Sequence, residues 1–314
     1  MKRFKNILVI VKDNHSIVED PSVARGFALA KQNGARLTLM DVIPKPDGAI
    51  SRYKGILDAE ELTYVLVKER VEALEKIASG LVSDAGSDVD IDVQVKVGRD
   101  FIEIIRKVIL DKHDLLIKVA NDTDSSFDSS DFHLMRKCPE PVWLLRPKAK
   151  SGAQKVLAAV DLTLEQTTEG KALNKFILDL ATSLARWDNT ELHMLSCWSL
   201  YGENALRYSS FMKVPDDEVE KILEKEEQAN HDLQKTLTGR YEDVEITNHL
   251  VKGSPIEVIP SFTKKNNIDV VVMGTVARTG IAGLLIGNTA ETVLSKLDAS
   301  VITLKPSGFE SPVK

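Results

Sequence analysis

Asp269-Val270-Val271-Val272-Met273-Gly274-Thr275-Val276-Ala277-Arg278-Thr279-Gly280 is an apolar run that breaks abruptly into a glycine-containing loop. Consecutive β-branched residues without polar alternation describe a strand covered on both faces, as in a parallel sheet with helices packed above and below. The run has a counterpart 155 residues earlier, Asp114-Leu115-Leu116-Ile117-Lys118. At the same spacing Leu37–Val42 matches Leu192–Cys197, and Val97-Gly98 matches Lys252-Gly253. Near the start, Asn6–Val11 resembles Lys155–Val160 at a spacing of 149, and Pro141–Pro147 lines up with Ser300–Pro306 at 159. The chain therefore contains one unit twice, with four residues gained or lost between positions 119 and 142.

Within each copy, strand-length apolar runs alternate with amphipathic stretches, the pattern of a doubly wound α/β domain. In the second copy, strands are predicted near 155–160, 190–197, 244–250, 268–273 and 299–304. A surface helix is predicted from Pro215 to Leu237, where Val219, Ile222, Leu223 and Leu233 share a side. Ser254-Pro255-Ile256-Glu257 reads as a capping box with proline at the first helical position, and Asp100-Phe101-Ile102-Glu103 as its equivalent. The expected fold is two tandem five-stranded parallel-sheet domains, 1–150 and 151–314. Val142-Trp143-Leu144-Leu145 and Val301-Ile302-Thr303-Leu304 would be exposed apolar edges if left alone, so the two last strands are expected to pair within the chain as an intramolecular pseudo-dimer.

Composition narrows the function. The chain has 314 residues, 43% hydrophobic and 28% charged, and its net charge of −6 falls entirely after residue 150. With 5% aromatics and no basic cluster it lacks the footprint of a nucleic-acid partner. No run approaches the roughly 20 apolar residues of a membrane span, and Ile7–Val11 is too short for a signal segment. Cys138 and Cys197 have no metal or redox spacing, so a reducing, cytoplasmic location is expected.

Open α/β sheets take ligands beyond the carboxyl ends of their strands, where strand order reverses. In the second copy those ends carry Asp161 after the first strand and Met273-Gly274 after the fourth. Backbone N–H groups around Gly274, Gly280 and Gly287 suit an anion, a helix opening at Gly287 favours phosphate, and Arg278 supplies a charge. The spacing matches neither a Walker loop nor Gly-x-Gly-x-x-Gly.

The strand, the glycine loop, Gly287-Asn288-Thr289-Ala290-Glu291 and a last strand ending in Lys305-Pro306 resemble the universal stress protein family, strongly over 155–306 and weakly over 4–147. In that family Gly-x2-Gly-x9-Gly-Ser/Thr forms the loop for ATP phosphate and ribose. The resemblance puts Gly274 and Gly287 at the first and last glycines and Asp161 near the base. Ala277 replaces the second glycine and Asn288 the hydroxyl residue. An alanine forced to positive φ costs about 1–2 kcal/mol, so weak ATP binding, or binding of another phosphorylated or amphiphilic metabolite, is the expectation. Asn288 carries a second reading, as N-cap of a helix with Glu291 at its third position.

The first copy has no glycine at this place. Its Asn121–Asp131 segment carries Asp122, Asp124, Asp128 and Asp131 but lacks the glycine and terminal glutamate of a calcium loop, so it reads as a solvated loop. Lys12-Asp13 stands near the position of Asp161, with one residue of ambiguity. Catalysis has no apparent residues: the six histidines show no metal spacing and there is no nucleophile elbow. His193 and Cys197 share a strand face and read as core packing. The expected protein is a non-enzymatic, small-molecule-binding regulator of the stress response with no metal, possible as a homodimer. The alternatives are a scaffold with empty pockets that works through protein partners, and a slow nucleotide hydrolase.

Overall fold

The computed structural model describes residues 4–12, 20–46, 59–86, 88–121, 127–147, 149, 152–153, 155–209, 214–275 and 287–314. The first half runs β1 (Asn6–Ile10), α1 (Pro21–Asn33), β2 (Arg36–Ile43), α2 (Ala59–Ala85), β3 (Ile91–Val97), α3 (Asp100–Leu110), β4 (Leu115–Val119), α4 (Ser129–Lys137) and β5 (Val142–Leu145). The second runs β6 (Lys155–Ala159), α5 (Thr168–Asp188), β7 (Glu191–Trp198), α6 (Glu203–Tyr208), α7 (Asp216–Thr238), β8 (Ile246–Lys252), α8 (Pro255–Asn266), β9 (Val270–Gly274), α9 (Asn288–Lys296) and β10 (Ser300–Leu304).

Two compact units result. The first holds the chain up to residue 152 together with 300–314, and the second holds 153–275 and 287–299. In the first, the parallel strands lie in the order β3-β2-β1-β4-β5. In the second the parallel order is β9-β6-β7-β8. Strands β4 and β5 are buried at every position, as a sheet covered on both faces requires. Helix α1 shows how closely the layers meet: a Cβ on Gly26 would lie 2.3 Å from the Val9 side chain, so only glycine lets this helix rest on β1. Its start is fixed by Asp20, whose carboxylate accepts from Ser22 N at 2.8 Å, and by Pro21 in the first turn.

Two predicted caps differ in detail. Ser254 does precede α8, but its hydroxyl makes no capping bond, and Glu257, instead of reaching back, accepts from Lys296 Nζ at 2.8 Å. The cap of α3 is Arg99; Asp100 is already helical and its carboxylate faces Lys12 at 3.5 Å and Ser130 Oγ at 3.0 Å. In both cases a tertiary partner recruits the side chain that a local pattern assigns to the backbone.

Strand β10 belongs to the sheet of the first unit. It pairs antiparallel with β5, matching Val301 with Leu144, Ile302 with Trp143 and Thr303 with Val142. Ile302 and Trp143 are equivalent residues of the two copies, so the pairing is centred on a local two-fold. Both strands are buried throughout, and each covers the apolar edge the other would expose. Cutting the chain within 148–154 therefore leaves a strand of the C-terminal piece in the N-terminal piece's sheet. The pieces should co-elute on size exclusion at micromolar concentration; clean separation would show that this pairing does not hold them.

Just beyond β10, Lys305 turns inward. Its Nζ donates to Met135 O, it lies 5.3 Å from the centre of the Phe309 ring, and the residue is 5% exposed. Burial pushes this ammonium down to about 7. Because the folded state releases the proton more readily than the unfolded chain, stability should rise with pH from about 7 toward 10.5, the ordinary lysine value. Lys305→Met removes the buried charge while keeping the volume. It should raise stability at pH 7 by about 1–2 kcal/mol, with the gain shrinking as pH approaches 10. Thermal melts across that range test it, and a destabilised variant at pH 7 would refute it.

Candidate functional site

The chain passes from β6 to β7 on one side and returns as β9 on the other, so the strand order of the second unit reverses between β6 and β9. Ala158 pairs with Val272 and Ala159 with Met273. The residues that follow, Val160-Asp161 and Gly274-Thr275, thus leave the sheet side by side at its carboxyl edge, where such folds take ligands.

Each member of the predicted set has a local physical reason. Asp161 caps a short 3-10 turn at Leu162–Gln166, its carboxylate accepting from Thr163 N at 3.0 Å and Thr163 Oγ1 at 2.6 Å. Its carbonyl accepts from Asn174 Nδ2 at 2.9 Å, and the same amide donates to Glu165 Oε1 at 2.8 Å. Met273 is buried at the end of β9. Gly274 is dictated by packing, since a Cβ there would approach Leu173 Cδ2 to 2.8 Å. Gly287 N donates to Thr275 O at 2.8 Å and so ties together the two flanks of the glycine loop. Ala277, Arg278 and Gly280 lie outside the described residues.

Gly287, not Asn288, is the N-cap of α9. It has φ −76° and ψ 141° and offers no side chain to the first-turn amides; Asn288 is the first helical residue. Asn288 and Thr289 are exposed, Ala290 is buried, and Glu291 N closes the first turn on Gly287 O at 3.0 Å. Gly287 itself thus supplies no capping side chain to the positive end of the helix, which starts beside the exit of β9.

The corresponding place in the first unit is built differently. Helix α4 is capped by Asp128, whose carboxylate accepts from Asp131 N at 2.7 Å and from Asn121 Nδ2. Asp131 is fully buried against the equally buried Lys118, 2.6 Å from its Nζ. Lys118 also donates to Val119 O at 2.9 Å and Asn121 Oδ1 at 3.2 Å, which uses all three of its protons. The carboxylates of Asp128 and Asp131 are thus bonded inside the fold, not held in a solvated loop, while Asp122 and Asp124 lie outside the described residues. Burial pushes the Asp131 carboxyl upward and the Lys118 ammonium opposes that shift. The signal in the sequence was one lysine inside an apolar strand.

Other candidate chemistry disperses. Burial raises the thiol of Cys138 to about 12, and burial with the charge of Asp161 does the same for Cys197. His193 is bonded to His249 across β7 and β8, Nδ1 to Nε2 at 3.0 Å, with Phe262 against both rings. Burial, then the neighbouring His193, lowers the His249 value. Among the described residues no group of three His, Cys, Asp or Glu is placed to hold a metal ion, and no helix is long and apolar enough to cross a membrane. A cavity of about 520 Å³ lined by Arg186, Glu191, Asp243 and Glu245 lies at the amino ends of β7 and β8, and its Arg186 is paired with Asp243 at 2.6 Å. It is remote from the carboxyl edge.

A doubly wound sheet with its reversal between the first and fourth strands, repeated in one chain, defines a tandem α/β protein. Residues 152–305 match the universal stress protein family. The chain is 27% identical over its full length to Universal stress protein E of Salmonella typhi and 28% identical to that of Escherichia coli (strain K12), covering 98% of each. A structure described as a putative universal stress protein from Pseudomonas aeruginosa UCBPP-PA14 has the same fold, with a TM-score of 0.73 and 23% identity over 97% of this chain and 94% of that one. Residues 152–305 thus carry a universal stress protein domain, and the chain as a whole is similar to Universal stress protein E.

Proposed function

We propose that the second unit binds a small phosphorylated metabolite, ATP weakly or a related molecule, and that the protein acts as a non-catalytic, ligand-responsive regulator. The observation that carries this reading is the contrast between α9 and α4. Gly287 gives the first turn of α9 no capping side chain of its own, whereas Asp128 fills the same position at α4 with a carboxylate. An anion at the α9 terminus would accept from its N–H groups and meet the positive end of the helix dipole. Asp161, Met273, Gly274, Gly287, Asn288 and Thr289 would surround it, with Ala277, Arg278 and Gly280 contributed by the intervening loop. Hydrolysis would need a general base, and Asp161 is the carboxylate at hand; its bonds to Thr163 suit positioning better than proton transfer.

A scaffold role is favoured by one feature, the nearly full exposure of Tyr201 and Tyr208, at 98% and 79%, around α6. Exposed tyrosines suit protein contacts. Native mass spectrometry of gently purified protein separates the readings, since a retained small molecule supports the ligand and an empty chain the scaffold.

Gly287→Asp gives α9 the residue that α4 already carries. The new carboxylate should cap the helix, raising or preserving stability, while placing negative charge where the phosphate would sit. Calorimetry with ATP should show binding abolished in a variant whose melting temperature is not lowered; unchanged affinity would put the site elsewhere.

Restoring the family's residues tests the same crevice in the opposite direction. If the family's second glycine position needs positive φ, Ala277→Gly and a hydroxyl at Asn288→Ser together would account for ~2 kcal/mol, so the double variant should bind ATP on the order of 30-fold more tightly. No gain would mean that the crevice is shaped for a different metabolite.

A further inference from the structure

The carboxyl edges of the two units differ by a matched set of residues. With β1 aligned on β6, β4 on β9 and α4 on α9, Lys12 falls on Asp161, Lys118 on Met273, Asp128 on Gly287, Ser130 on Thr289 and Asp131 on Ala290. Each polar member on the first side has a bonded partner inside the fold: Lys118 and Asp131 pair with each other, Asp128 accepts from Asp131 N, and Ser130 donates to Asp100. Lys12 Nζ crosses from the end of β1 to Asn121 Oδ1 at 2.9 Å and faces Asp100 at 3.5 Å. Asn121 accepts from Lys118 as well, and its own N–H donates to Asp131 Oδ2 at 2.9 Å. Arg70 lies against the same strand end, donating to Val11 O at 2.8 Å while paired with Asp41 at 2.6 Å.

We infer that the first unit's crevice is held shut from within by a charge clasp, the fully buried Lys118–Asp131 ion pair bridged to β1 through Asn121 and Lys12, so that this unit is fixed in its closed form without any ligand. The clasp joins the three elements that meet at the strand reversal, β1, β4 and α4, and it makes the bonds that a bound molecule would otherwise supply. In the second unit Met273 and Ala290 cannot form the ion pair, and Asp161 has the opposite charge to Lys12. The inference rests on the ligand reading only in the statement that the second crevice needs an occupant.

The test is amide hydrogen exchange on the full chain, with and without ATP. In the wild type the Asn121 and Asp131 amides should be protected without ligand and unchanged by ATP. Lys118→Met with Asp131→Ala installs the second unit's residues and strands no charge. It should cut protection at those two amides at least 100-fold and leave β2 and β3 unchanged. Lys12→Ala, a change at a half-buried side chain beyond the end of β1, should speed exchange at Asn121 about tenfold while sparing Asp131. Wild-type protection retained in the double variant, an ATP-induced change in the first unit, or no effect of Lys12→Ala would each overturn the clasp. Failure of the ligand reading looks different: β9 and α9 would not respond to ATP in any variant, while the two first-unit amides still report on the clasp.

Discussion

Parallel pairing of the first and fourth strands is the constraint on which the rest of each unit depends. Parallel neighbours cannot be joined by a tight turn, so every return runs through a helix and all carboxyl ends collect at one edge. Where the order reverses, two strands deliver their following residues side by side with no helix crossing between them. Asp161 and Thr275 are neighbours in the second unit for this reason, and Lys12 and Asn121 in the first. A doubly wound fold always makes this crevice, and the residues at the strand ends decide what fills it.

The two copies have answered that question with opposite physics. At one register the second unit carries Met273 and Ala290, apolar and small, and the first carries Lys118 and Asp131. A buried ion pair repays its desolvation only when its remaining hydrogen-bonding positions are satisfied. Here they are, with three acceptors for the ammonium and the Asn121 N–H as well as Lys118 for the carboxylate. Loss of either partner alone would leave a charge stranded, so replacing one costs more than replacing both. Lys305 is a second buried ammonium, beside the Met135 carbonyl and the Phe309 ring, and burial lowers its value to about 7.

Strands were legible in the sequence because burial on both faces writes a continuous apolar word, as in Asp269–Met273, and duplication wrote it twice. Helix starts were less so. Asn288, Asp100 and Ser254 all fit cap preferences, yet Gly287 and Arg99 are the caps of α9 and α3, and Ser254 caps α8 without using its hydroxyl. A cap is defined by backbone dihedrals and by which partner captures the side chain, and Asp100 is captured by Ser130 and Lys12 from distant parts of the chain. The clasp was hidden for the same reason. Nothing local connects Lys118 with Asp131 thirteen residues on, and an acidic run ordinarily describes solvent. His193 was assigned to packing beside Cys197, but its bonded partner is His249 on the neighbouring strand, a pairing that depends on the register of β7 against β8.

A site that is closed by its own side chains and one that awaits an occupant respond differently to the cell. Ligand bound only to the folded state stabilises it by RT ln(1 + [L]/Kd), about 2.7 kcal/mol at a hundred times Kd. A closed crevice has no such term, and its stability is constant as metabolite levels change. On the proposed reading, the fused chain therefore joins one unit of fixed stability to one whose stability follows its ligand. Strand β10 links the two behaviours in the covalent chain, because it follows α9 directly while its backbone pairs with β5. In the sequence, α9 is separated from β10 only by Leu297-Asp298-Ala299.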